Sequence, residues 1–93
     1  MAYSIRALAS FEKSFAKATR DDQRRITDKI EHLAVHPELL GSPMANLPPN
    51  LRGLHKLRAG DWRIFFWADS RKREIVLYDL DWRDKAYRGL FRS

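Results

Sequence analysis

The sequence predicts an α+β fold: an antiparallel sheet of about four strands, an N-terminal helical hairpin packed on one face, and a short C-terminal helix. Two observations on the order of residues predict it. Apolar residues recur at helical spacing between Phe11 and Ala34, then at alternate positions from Leu54 to Leu80. The stretch between these regions, Pro37 to Asn50, holds all four prolines and Gly41, so it reads as a connecting loop. A third observation is size. Ninety-three residues that are 44% hydrophobic suffice for one small core, so residues 1–93 read as a single domain.

Each element has its own signal. Ala2 to Leu8 sets Tyr3, Ile5 and Ala7 against Ser4, Arg6 and Leu8, a short period-2 opening strand. Ser10 stands where an N-cap belongs, ahead of Phe11, Phe15 and Ala18, so a short amphipathic helix is expected over Ser10 to Thr19. Asp21 and Asp22 open a second helix, because acidic side chains suit the positive end of a helix dipole. Ile26, Ile30, Leu33 and Ala34 give it an apolar stripe until Pro37 stops it. Leu54 to Ala59 and Asp61 to Asp69 then form a hairpin about Gly60. Ser70 to Arg73 is a charged turn, Glu74 to Leu80 a further strand, and Arg83 to Leu90 a brief terminal helix.

The formal net charge is +6, and it is unevenly placed. From Asn50 onward the chain carries 11 basic and 6 acidic residues, against 7 and 6 in residues 1 to 49. A concentration of cations on a sheet points to an anionic partner, and the interleaved aromatic residues suit the phosphates and bases of unpaired RNA. The chain has no cysteine, which excludes disulfides, thiolate nucleophiles and cysteine zinc sites. It shows no apolar run of signal-peptide or membrane-span length, so a soluble, cytoplasmic protein is expected.

Alternation places Lys56 and Arg58 on one face of their strand and His55, Leu57 and Ala59 on the other, with Leu57 toward the helices. Beyond the turn, Trp62, Ile64 and Phe66 form one set and Arg63, Phe65 and Trp67 the other. The cations meet on one face if the register sets Arg63 beside Lys56 and Arg58. Phe65 and Trp67 read better as packing than as a stacking platform. His32 and His36 lack a third ligand and the intervening Glu of zinc proteases, and read as surface or helix-end residues. Asp79 and Asp81 read as local partners for arginines. No Ser-His-Asp arrangement or Gly-rich phosphate loop is present.

The run Leu54-His55-Lys56-Leu57-Arg58-Ala59-Gly60-Asp61-Trp62-Arg63-Ile64-Phe65-Phe66 resembles the basic strand, Gly turn and aromatic-Arg-aliphatic strand of the RelE/ParE superfamily of bacterial and archaeal toxins. Ile75 to Leu80 and then Trp82-Arg83-Asp84-Lys85-Ala86-Tyr87 are similar to its apolar strand and His-Arg-x-x-x-Tyr ending. The resemblance covers nearly the whole chain and implies a toxin-antitoxin toxin acting as a ribosome-dependent mRNA endoribonuclease. It implies catalytic roles for Lys56, Arg63, Arg83 and Tyr87, with His55, Arg58, Arg52 and Lys85 as RNA-binding candidates. Two positions depart from the pattern: Leu54 replaces a lysine found two positions before the retained one, and Trp82 replaces the histidine before the late arginine.

RNA cleavage of this kind requires activation of the 2′-hydroxyl, stabilisation of charge on phosphorus and release of the 5′-oxygen. Tyr87 is the candidate base, since cationic neighbours favour its phenolate, while Arg63 and Arg83 hold the phosphate and Lys56 stabilises charge. No cofactor or metal is expected. The expected partners are a cognate antitoxin, forming a hetero-oligomer, together with the ribosome and mRNA; no membrane is expected and homo-oligomerisation is left open. The alternatives are a ParE-like toxin that inhibits DNA gyrase without nuclease activity and a basic RNA-binding domain without toxicity.

Overall fold

The structure, a computed structural model, describes residues 2–82. Its elements run β1 (Ser4–Ala7), α1 (Ala9–Ala16), α2 (Arg20–Val35), β2 (His55–Ala59), β3 (Trp62–Asp69) and β4 (Glu74–Trp82), with short 3-10 turns at Pro37–Leu39 and Pro49–Leu51. The α+β class, the paired helices and the four-stranded sheet agree with expectation. The terminal helix expected over Arg83 to Leu90 lies outside the described residues.

The helices start for different reasons. The N-cap of α1 is Leu8, which supplies no side-chain cap bond. Ser10, expected to cap, lies inside the helix, where its hydroxyl donates to the Tyr78 carbonyl of β4. Tertiary bonds hold this helix start, because the Leu8 N–H also donates to the Leu77 carbonyl at 3.0 Å. Thr19 caps α2 conventionally, its Oγ1 accepting from the Asp22 N–H at 3.2 Å, with Asp21 and Asp22 in the first turn.

The sheet order is β1-β4-β3-β2. The β2–β3 and β3–β4 pairs are antiparallel, as the alternation predicts. At the edge, however, β1 runs parallel to β4, with Ser4 beside Glu74 and Ala7 beside Leu77, so the sheet is mixed rather than wholly antiparallel. The two helices follow β1 directly and carry the chain away from it. A strand that returns through such a connection is free to align parallel, whereas a tight hairpin forces antiparallel pairing. Glycine is required at the β2–β3 turn, where Gly60 has φ +62° and Asp61 does not share a positive φ, the pattern of a type II′ hairpin.

One face of the sheet packs on the helices. Ala59, Ile64, Phe66, Ile75, Leu77 and Leu80 join Phe11 of α1 and Ile26, Ile30, Leu33 and Ala34 of α2 in the principal core. A register shift between Phe65 and Phe66 sets one extra residue of β4, Tyr78, between the partners Leu77 and Asp79. That bulge lets Leu77 and Leu80, three positions apart, both reach the core. Tyr78 packs instead against a second cluster, formed by Leu51, Leu54 and Phe65 with Met44, Leu47 and Trp67. The proline-bearing connection is therefore more than a loop, because it caps the opposite face of the sheet with apolar side chains. Among the described residues, no helix is long and apolar enough to cross a membrane.

Candidate functional site

The β2–β3 register decides what the alternating cations can do together. Arg58 stands opposite Arg63 and Lys56 opposite Phe65, so all three cations share the sheet face turned away from the helices. Lys56 and Arg58 are exposed and Arg63 is half-buried. Arg63 Nη1 donates to the carbonyls of Gly60 and Trp62 at 3.5 and 3.3 Å, which curls the guanidinium back over the hairpin turn. Asp81 is the cross-strand neighbour of Arg63 on β4, yet its carboxylate accepts from the Trp82 N–H at 2.8 Å. Among the described residues, neither Arg58 nor Arg63 forms an ion pair. Arginines at directly paired positions repel each other, and an anion bound beside them relieves that repulsion.

The other candidates separate from this group. His55 lies opposite Phe66, on the helix-facing side, and its ring stacks on that of Phe66 with centroids 5.1 Å apart. It is only 8% exposed, its Nδ1 has no hydrogen-bond partner, and burial lowers its pKa against a smaller upward pull from a hydrogen bond with the Leu40 backbone. The structure therefore does not bring His55 together with Lys56 and Arg58: its imidazole is buried on the helix-facing side, while Lys56 and Arg58 lie on the other. Arg52 is exposed and follows the Pro49–Leu51 turn, where its carbonyl accepts from Trp67 Nε1 at 3.0 Å. Trp67 is about 13 Å along β3 from Arg63 at the usual strand rise, which sets the Arg52 backbone at the far end of the sheet. Arg83, Lys85 and Tyr87 lie outside the described residues.

Both departures from the motif have packing explanations. Leu54 is fully buried in the second cluster beside Leu51 and Phe65, where an ammonium group would lose its water. Trp82 pairs with Trp62 across the β3–β4 ladder, and the two rings meet edge to face with centroids 5.1 Å apart. The aromatic expectations held: Phe65 is 1% exposed and Trp67 packs against the same cluster and against Tyr78. Among the described residues, Asp79 pairs with no arginine. Its Oδ1 accepts from Ser14 Oγ and from the Leu80 N–H, both at 2.7 Å, and so joins α1 to the β4 bulge. Sequence reasoning also missed a contact of Asp22, whose Oδ2 accepts from Trp62 Nε1 at 3.1 Å. No local signal marks that pairing, because the partners are 40 positions apart.

No family model matches the chain. The chain is 32% identical to Toxin RelE of Mycobacterium tuberculosis over 82 residues, covering 78% of this chain and 80% of that protein. In fold it is similar to the toxin-antitoxin complex RelBE2 of Mycobacterium tuberculosis, with a TM-score of 0.76, 19% identity, and 89% and 93% of the two chains covered. The intact Escherichia coli RelBE complex gives a TM-score of 0.70 at 14% identity, covering 89% of this chain and 99% of that one. The archaeal RelE-RelB complex of Pyrococcus horikoshii also gives 0.70, at 17% identity and with 91% and 99% covered. The structural likenesses establish the fold, and the sequence identity over most of both chains establishes kinship: the chain belongs to the RelE family of toxins.

Proposed function

We propose that the chain is the toxin of a type II toxin-antitoxin system and acts as a metal-independent endoribonuclease on mRNA held in the ribosome. The observation that carries this reading is the cross-strand placement of Arg58 against Arg63, with Lys56 on the same face, in a relative of Toxin RelE. Fixed cations beside a reacting phosphate stabilise the negative charge that develops as the 2′-oxygen attacks phosphorus and the bond to the 5′-oxygen breaks. Arg63, held at the hairpin turn, contacts the phosphate; Lys56 supports the developing charge; Arg58 binds phosphate beside them. Arg83 as a second phosphate ligand and Tyr87 as the base rest on the motif resemblance.

The solved relatives are RelE toxins in complex with RelB antitoxins, which supports a cognate antitoxin as the partner and a hetero-oligomer as its resting form. The test is induction of the chain without an antitoxin, with primer extension on cellular messages and measurement of DNA supercoiling. Cleavage within translated messages is the expected result. Growth arrest with intact messages and gyrase-linked DNA breaks overturns it in favour of a ParE-like toxin.

A further inference from the structure

We propose that Asp22, in the first turn of α2, is a positioning residue for the cationic face, acting through Trp62. This inference rests on the proposed RNA-cleaving function of that face. Asp22 Oδ2 accepts the Trp62 indole N–H at 3.1 Å, and Asp22 Oδ1 lies 3.6 Å from Arg25 Nη1. The Arg25 side chain in turn covers Gly60: a Cβ built there would stand 3.1 Å from Nη1 and 3.3 Å from Cδ. A single carboxylate thus binds the helix to the first residue of β3 and holds the arginine that covers the hairpin turn.

The consequence follows from strand geometry. Trp62 and Arg63 are successive residues on opposite faces, so fixing the Trp62 ring against α2 fixes the rotation of the strand that presents Arg63. Trp62 is also the cross-strand partner of Ala59 on β2 and of Trp82 on β4, next in the chain to Arg58 and Arg83 respectively. Asp22 therefore orients one end of the ladder from which the cations project. Displacement of reacting groups by about 1 Å can cost on the order of 100-fold in rate, so such a tether has catalytic leverage without touching substrate.

The experiment uses the full-length chain with Asp22→Ala, Asp22→Asn and Trp62→Phe. Three quantities are measured: single-turnover cleavage of ribosome-bound mRNA, thermal stability, and the NMR order of the Arg58 and Arg63 side-chain Nε–H groups. Asp22→Ala and Trp62→Phe are each expected to slow cleavage about 10- to 100-fold at saturating ribosome, with KM little changed. Combining them should cost no more than either alone. Asp22→Asn, whose amide oxygen still accepts from the indole, should recover most of the rate. In the same variants the Arg63 side chain should become more mobile at temperatures where the fold is intact. Lower stability with unchanged cleavage and unchanged arginine order overturns the positioning role. If the unmodified chain cleaves no RNA, the proposed function fails instead, and the arginine order still decides whether Asp22 positions the face.

Discussion

Arg58 and Arg63 are direct cross-strand partners on the β2–β3 ladder, two cationic residues set on one face by backbone pairing. Such a pair slightly disfavours the free protein and favours any bound phosphate. Arg63→Ala is therefore expected to leave stability within about 0.5 kcal/mol while slowing ribosomal cleavage about 100- to 1,000-fold. Arg58→Ala should weaken binding to single-stranded RNA and reduce the slope of log affinity against log salt by about 0.7. Cleavage and filter-binding series at several salt concentrations check both values.

Leu54 sits where the motif carries a lysine, yet it is fully buried against Leu51 and Phe65. Restoring the lysine should not raise activity. Leu54→Lys removes apolar packing and drives an ammonium group into that cluster, which should cost at least about 2 kcal/mol of stability. Urea denaturation of the variant beside the parent measures the loss.

His55 gives the fold a pH dependence of determinate sign. Burial holds its folded-state pKa below the ordinary 6.5, so as pH falls through 6.5 the unfolded chain binds a proton that the folded chain refuses. The contribution of His55 is fully present above pH 6.5, is lost below it, and levels off once pH passes the lowered folded value. His55→Leu should remove this part of the slope. Thermal melts between pH 7.5 and 5 are the measurement, with the range chosen to bracket the usual imidazole pKa of about 6.5.

Gly60 is needed for its backbone as well as for the space it leaves. With φ at +62°, Gly60→Ala should cost about 1–2 kcal/mol from the left-handed conformation alone, and its new methyl group would press on the flexible end of Arg25. Thermal denaturation of the Gly60→Ala variant tests this. A change smaller than about 0.5 kcal/mol would mean that the turn had moved to another type.

The helices, the hairpin about Gly60 and the cationic face are legible in the order of residues alone. These follow from local rules: apolar spacing over Ile26, Ile30, Leu33 and Ala34, a proline stop, a glycine turn, and the alternation that separates Lys56 and Arg58 from His55. The motif spanning Leu54 to Phe66 also sufficed to show the family resemblance. Tertiary structure decided whatever depended on a partner distant in the chain. The parallel pairing of β1 with β4 joins residues about seventy positions apart, as in Ser4 beside Glu74. The β4 bulge at Tyr78 was equally hidden, because an extra residue leaves each short apolar stretch looking regular. Burial of His55, closure of the Leu51–Leu54–Phe65 cluster by the proline-rich connection, and the reach of Asp22 to Trp62 depend on which surfaces meet. Local periodicity tells which face of an element is apolar. Only packing selects what that face meets, because van der Waals contact and desolvation act between residues that lie far apart in the chain.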